Sequence, residues 1–330
     1  MPKTVLLPVD GSNFAEHALP YALGIARRNG ATLQLALVHV LSDTTGRGYP
    51  LAELVEARDA EQRDHDAAYM EELTRRLRTA GVQIRPALLK GKVGAALARH
   101  VDQVEVDLVV MTTHGRGGLQ RAWLGSTADY LVRHSMIPLL LIRPTRETRE
   151  IGTTSHPGFR RVLAALDGSG TAEAALRDAL EIGLADDATL VLAHVVQPSV
   201  TATSPYLPHT VQLTHEELAA RQATMKRYLA DIAREPWLEG RDIDTRVRVD
   251  FHAAPAILEL ARELEADLIV VGTHGRGGLR RMILGSVADK VIRGTDRPVL
   301  VHRGVGRIAR LAAEVSRRKT SEPAGVHSVP

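Results

Sequence analysis

The segment Thr113-His114-Gly115-Arg116-Gly117-Gly118-Leu119 returns as Thr273-His274-Gly275-Arg276-Gly277-Gly278-Leu279, 160 residues further along a chain of 330. The echo extends well beyond this segment. Leu124-Gly125-Ser126 answers Leu284-Gly285-Ser286, Val9-Asp10-Gly11-Ser12 answers Leu166-Asp167-Gly168-Ser169, and Val38-His39-Val40 answers Ala193-His194-Val195. Ile137-Pro138-Leu139-Leu140 answers Arg297-Pro298-Val299-Leu300. A period of this length is too long for a solenoid unit, so each copy is a complete domain. The expected division is a first domain at 1–145, a linker at 146–158, a second domain at 159–304 and a basic tail at 305–330. The linker reading rests on Gly152, Thr153, Thr154, Ser155 and Pro157 among charges, with no apolar period.

Within the first copy the apolar spacing predicts alternating strands and helices: strand Thr4 to Val9, helix Phe14 to Arg28, strand Thr32 to Leu41 and a long charged helix Leu51 to Ala80. Strand Gln83 to Leu89, helix Ala95 to Val104, strand Leu108 to Thr113, helix Ser126 to His134 and strand Pro138 to Ile142 complete it. The second copy is expected to follow the same order. Strands that are continuous apolar runs separated by helices imply a parallel sheet covered on both faces. The fold class is therefore α/β: two tandem doubly wound domains, each a five-stranded parallel sheet of order 3-2-1-4-5 flanked by helices.

Composition removes several classes. At 44% hydrophobic and 25% charged residues the chain is a packed globular protein. Without a single Cys, disulfide scaffolds, Cys-ligated zinc, iron–sulfur clusters and thiol catalysis are impossible. No apolar run reaches the roughly 20 residues of a membrane span, and Pro8 and Asp10 interrupt any signal-peptide core, so a cytoplasmic protein with no membrane partner is expected. The net charge of +3 is a property of the tail. From Arg303 onward six basic residues oppose two acidic ones, which leaves the tandem pair close to neutral and gives no nucleic-acid-binding face.

In the order 3-2-1-4-5 the first and fourth strands are neighbours. Asp10 and Asp167, ending the first strands, would then flank one crevice with the Gly-rich loops that follow the fourth strands. Glycines admit close backbone approach, and the helix start at Gly125-Ser126 or Gly285-Ser286 adds N–H groups and the positive end of the macrodipole. Together these describe an anion site suited to phosphates; the competing reading gives Gly117 and Gly118 a tight turn and Ser126 and Ser286 helix caps. Standard phosphate loops are absent: Gly91-Lys92 lacks the P-loop flanks, and Gly115-x-Gly117 follows the wrong strand for a dinucleotide fingerprint, with Gln120 in its last place. His39 and His194 read as hydrogen-bonded core histidines, and His215-Glu216-Glu217 is no zinc motif because Ala219 stands where a second His is required.

These motifs resemble the universal stress proteins in their tandem form, whose nucleotide-binding members carry Gly-x2-Gly-x9-Gly-Ser/Thr after the fourth strand. Gly272, Gly275 and Gly285-Ser286 match in full, while Thr112 replaces the leading glycine ahead of Gly115 and Gly125-Ser126. The resemblance implies that Asp10 and Asp167 reach the ribose and adenine side, and that the backbone at Val40 and Val195 reads the adenine edge. Gly115, Gly118, Gly125 and Ser126, with Gly275, Gly278, Gly285 and Ser286, are implied to hold the phosphates, and Thr127 and Val287, next along the chain, are counted with them. His114 and His274, in the loops, either orient phosphate or backbone or simply brace the loop. The implied ligand is ATP, with ADP or AMP as alternatives, and Mg2+ bound through the phosphates instead of by protein ligands. Thr112 is expected to narrow the first site, and Phe251, in the loop that replaces Gly91, to line or block the second. An internal pseudo-dimer across the last strands is implied, with a further doubling into a homodimer. No positioned base or nucleophile is evident, so the leading expectation is an ATP-binding stress-response or signalling protein with at most slow hydrolysis. An interaction module that has lost the nucleotide, and a true hydrolase of the same fold, are the alternatives.

Overall fold

The computed structural model describes residues 1–40, 52–113, 124–144, 156, 158–203, 208–273 and 285–302. The first half runs β1 (Thr4–Val9), α1 (Asn13–Glu16), α2 (Leu19–Asn29), β2 (Thr32–His39), α3 (Ala52–Arg76), β3 (Ile84–Lys90), α4 (Val93–Gln103), β4 (Leu108–Thr112), α5 (Ser126–His134) and β5 (Leu139–Ile142). The second runs β6 (Phe159–Ala165), α6 (Gly170–Glu181), β7 (Leu184–Val196), β8 (Ser199–Thr203), β9 (Pro208–Gln212), α7 (His215–Ala233), β10 (Asp242–Val249), α8 (Ala253–Glu263), β11 (Leu268–Gly272), α9 (Ser286–Gly294) and β12 (Val299–His302).

Ten of these strands form one sheet in the order β10-β7-β6-β11-β12-β5-β4-β1-β2-β3. Each half therefore has the expected 3-2-1-4-5 order with parallel pairing throughout. The halves meet through their last strands, which pair antiparallel with Leu300 opposite Leu140, Val299 opposite Leu141 and Val301 opposite Leu139. Short strands with every residue buried belong in the middle of a sheet, and this is where Leu139–Ile142 and Val299–His302 lie.

Two cores cover the faces, and both run through the two halves. One joins Leu23, Leu35 and Leu73 to Phe159, Leu176, Leu192 and Leu229. The other joins Leu6, Leu97 and Leu131 to Leu163, Ile257 and Val291. At about 1.5–3 kcal/mol for each large apolar side chain removed from water, these shared cores tie the repeats into one body.

Three features depart from the sequence expectation. The helix expected from Phe14 to Arg28 is broken into α1 and α2. Pro20 has no N–H to give to the Glu16 carbonyl four residues back, and its ring crowds that carbonyl, so the first helix stops at Glu16. Arg177 takes this place in the second copy, and α6 runs uninterrupted. The second copy also gains an antiparallel β8–β9 hairpin, which pairs Ser199 with Gln212 and Thr203 with Pro208 and is separate from the large sheet. Finally, His156, within the expected linker, is docked on α2. Its N–H donates to the Pro20 carbonyl at 2.8 Å, its carbonyl accepts from the Arg28 guanidinium at 2.8 Å, and its ring stacks on Tyr21 with centroids 4.4 Å apart. The Cα of Gly24 faces the His156 backbone so closely that a Cβ there would collide with its carbonyl oxygen.

Candidate functional site

Continued by the same offsets, the registers of β1 with β4 and of β6 with β11 set Asp10 level with Thr113 and Asp167 level with Thr273, just past Thr112 and Gly272 at the carboxyl ends of neighbouring strands. The turn after each aspartate is built identically. Gly11 and Gly168 have φ of 77° and 79°, which a side chain resists. That turn folds the next serine back: the Ser12 N–H and hydroxyl donate to Asp10 Oδ1 at 3.0 and 2.6 Å, and the Ser169 N–H donates to Asp167 Oδ1 at 3.0 Å. Each serine Oγ also accepts the N–H of Ala15 or Ala172 at 3.3 Å and so caps the helix behind it. The carboxylates are thus fixed in place by the start of a helix. These two serines were missed as site-building residues, although their recurrence after Asp-Gly in both copies was a readable signal.

The opposite wall begins at Thr113 and Thr273. Each N–H is held by the last strand, donating to the carbonyls of Ile142 at 2.8 Å and His302 at 3.0 Å. Each carbonyl accepts the N–H of Gly125 at 2.6 Å or Gly285 at 2.7 Å. These bonds pinch the ends of the Gly-rich segment together and start α5 and α9 beside the aspartates. Gly125 and Gly285 are the N-cap residues, without a side-chain cap, so Ser126 and Ser286 occupy the first helical position and do not cap these helices. Backbone N–H groups and the positive helix end consequently face the same space as the carboxylate. His114, Gly115, Gly118, His274, Gly275 and Gly278 lie outside the described residues.

In the second repeat this space is a cleft of about 280 Å³, bordered by Asp167, Val195, Gly272, Gly285, Ser286 and Val287 with an apolar side formed by Ala193, Ala253 and Ile257. Its lining combines a carboxylate, the N–H groups of a helix start and apolar side chains. In the first repeat Asp10, Thr112, Gly125, Ser126 and Thr127 take the corresponding positions, with Val40, 57% exposed, just past the end of β2. Phe251 is 55% exposed and is not among the residues bordering the cleft; its carbonyl accepts the Gln197 amide at 2.9 Å.

Gly272 has a structural reason of its own. A Cβ there would meet the backbone of Ala172 and Thr171 at 3.0–3.1 Å, so the glycine lets α6 approach β11. Thr112, buried at the matching place, instead lies beside the four-residue α1.

The strand histidines differ between copies. His39 Nδ1 lies 3.0 Å from Asp66 Oδ2, both side chains are buried, and the Gln62 amide donates to the other carboxylate oxygen at 2.8 Å. His194 Nδ1 lies 2.6 Å from the Leu166 carbonyl. A duplicated bond escaped the sequence reading altogether: the Tyr69 hydroxyl donates to Glu16 and the Tyr228 hydroxyl to Glu173, each at 3.0 Å. Burial, and then the Glu16 charge, push the Tyr69 hydroxyl far above its usual range, so it remains a donor. Among the described residues no helix is long and apolar enough to cross a membrane.

Comparison with known proteins agrees with this architecture. Universal stress protein Rv2005c of Mycobacterium tuberculosis is 30% identical over 201 residues, 60% of this chain and 62% of its own length, so the match spans under two thirds of that relative. Universal stress protein Rv1996 of the same organism is 28% identical over 324 residues, covering 91% of this chain and 94% of its own. The crystal structure of a universal stress protein from Archaeoglobus fulgidus superimposes with a TM-score of 0.64 at 20% identity, over 91% of this chain and 98% of its own, a likeness of fold. The sequence profile of the Universal stress protein family matches twice, over residues 1–143 and 158–303, and the chain belongs to that family as a tandem member.

Proposed function

We propose that this universal stress protein binds an adenine nucleotide, ATP foremost, in the cleft of its second repeat, and that occupancy sets its affinity for a signalling partner in the cytoplasm. The observation that carries this reading is the joint placement of Asp167 and the uncapped start of α9 in the lining of one cleft. A carboxylate held by Ser169 suits ribose hydroxyls, which donate to it. The N–H groups of the first turn of α9, at Ser286 and Val287, suit phosphate oxygens. The apolar stretch between them, including Val195 and Ile257, suits a flat base. Mg2+ would be carried by the phosphates. The first repeat, with Thr112 in place of the glycine, is proposed as the weaker site.

Denaturing the purified protein and chromatographing the released small molecules tests this directly. Co-purified ATP, ADP or AMP, or a micromolar calorimetric response to Mg-ATP lost in Asp167→Ala, supports it. A clean supernatant with no heat and no thermal shift would replace it with the reading of an interaction module of the same fold.

A further inference from the structure

The two outer edges of the ten-stranded sheet are guarded. On β3, Arg85 and Lys90 are charged and Pro86 lacks a donor. On β10, Asp242, Asp244, Arg246 and Arg248 alternate, with Arg246 2.6 Å from Asp244 and Arg248 2.7 and 2.8 Å from Glu259 and Glu263. Charges and prolines of this kind keep a sheet edge from pairing with another chain.

The β8–β9 hairpin has no charged guard. No Asp, Glu, Lys or Arg occurs anywhere between Asp187 and Glu216, and the two strands are rich in Thr and Val. A two-stranded antiparallel piece on its own is marginal in water and gains stability from further strands. Its mounting is firm: the Leu213 N–H donates to the Pro198 carbonyl at 2.8 Å, Gln197 is tied to Phe251, and Thr214 forms a capping box with Glu217 at the start of α7. Of its two edges, β9 opens on Pro208, whereas Ser199 to Thr203 contains no proline. The strand β8 is therefore the edge that carries neither charge nor proline.

We propose that β8 is a self-association edge: two copies of this chain pair β8 to β8, antiparallel about a twofold axis at Thr201, giving a four-stranded sheet in the order β9-β8-β8-β9. A strand laid antiparallel to its own copy automatically sets donors opposite acceptors about a twofold axis, the commonest symmetry of soluble oligomers. An uncharged edge meets its copy without repulsion, and it offers a charged partner nothing to pair with. The exposed first turn of α7, His215 to Glu217, stands next to the hairpin and extends the surface available to the contact.

The absence of cysteine makes the test clean. Thr201→Cys in the full chain, oxidised at low protein concentration, is expected to give a covalent dimer, and Thr245→Cys on the guarded β10 edge is expected to give none. Sedimentation of the unaltered protein should show a reversible dimer, and Thr201→Lys should raise its dissociation constant at least tenfold with an unchanged circular dichroism melt. A monomer at every concentration, equal cross-linking at both cysteines, or a dimer indifferent to Thr201→Lys with no Thr201→Cys cross-link overturns the assignment.

Discussion

Leu140 of β5 lies directly opposite Leu300 of β12, each with none of its surface exposed, at the one place where the parallel sheet turns antiparallel. Proline at Leu140 would remove a ladder donor and force its ring into a central strand. Leu140→Pro is expected to separate the repeats, seen as a larger radius of gyration in small-angle scattering. The milder Leu140→Ala should cost about 2–5 kcal/mol in urea unfolding with the shape retained.

His156 joins the two repeats as a neutral ring. Burial, and next the Arg28 charge, push its pKa below the ordinary 6.5, against a smaller upward pull from Asp267, and the Gly158 N–H donates to Nδ1 at 3.1 Å, which needs an unprotonated nitrogen. The unfolded chain takes up this proton near pH 6.5 while the folded chain resists it. Stability is therefore lost as pH falls from about 6.5 toward the lower folded value, and fully present above it. Urea midpoints between pH 7.5 and 5.5 should fall, and His156→Gln should remove part of that slope. Burial lowers His100 in the same direction, so the slope should not vanish entirely.

Copying the first repeat into the second tests the role of Gly272. In Gly272→Thr the new Cβ meets α6 backbone that cannot swing aside, with an expected loss of about 1–3 kcal/mol by chemical denaturation. Thr112→Gly relieves no such contact and should cost roughly the 1 kcal/mol of lost strand preference.

Removing the Ser169 hydroxyl should separate holding from binding. Ser169→Ala loses a helix cap worth about 1 kcal/mol in thermal unfolding. Asp167→Asn keeps the shape but removes the charge that ribose hydroxyls would donate to, and calorimetry with Mg-ATP should show affinity lower by roughly tenfold.

Much of this arrangement was legible in the residues because the chain is written twice. The parallel, helix-covered sheets were readable from apolar runs and their spacing, whereas the order that sets β1 beside β4 was assumed for such a fold, and the seam through Leu140 and Leu300 was implied by the family resemblance, with two short, mostly apolar last strands as candidate edges. What escaped was whatever differs between the copies or depends on tertiary contact. Pro20 was absorbed into a helical pattern although its missing N–H falls opposite Glu16. The β8–β9 hairpin was hidden by Pro198, Pro205 and Pro208, which break its period-two pattern, and by the assumption that the second copy repeats the first. The glycine at 272 read as ligand clearance because a sequence does not reveal which neighbour a missing Cβ would strike, and here that neighbour is Ala172.

The antiparallel join between β5 and β12 has a directional consequence. Since all strands within a repeat are parallel, the carboxyl ends of the two sets point away from each other, one toward Thr112 and the other toward Gly272 and the cleft. The molecule therefore has two unlike ends, facing opposite ways along the strands. A protein docked at one end would have no direct access to a ligand at the other, and any signal between them would have to cross β5 and β12. Two identical subunits joined in the same way would have interchangeable ends; fusing the copies into one chain let Thr112 and Gly272 diverge and gave the assembly a head and a tail.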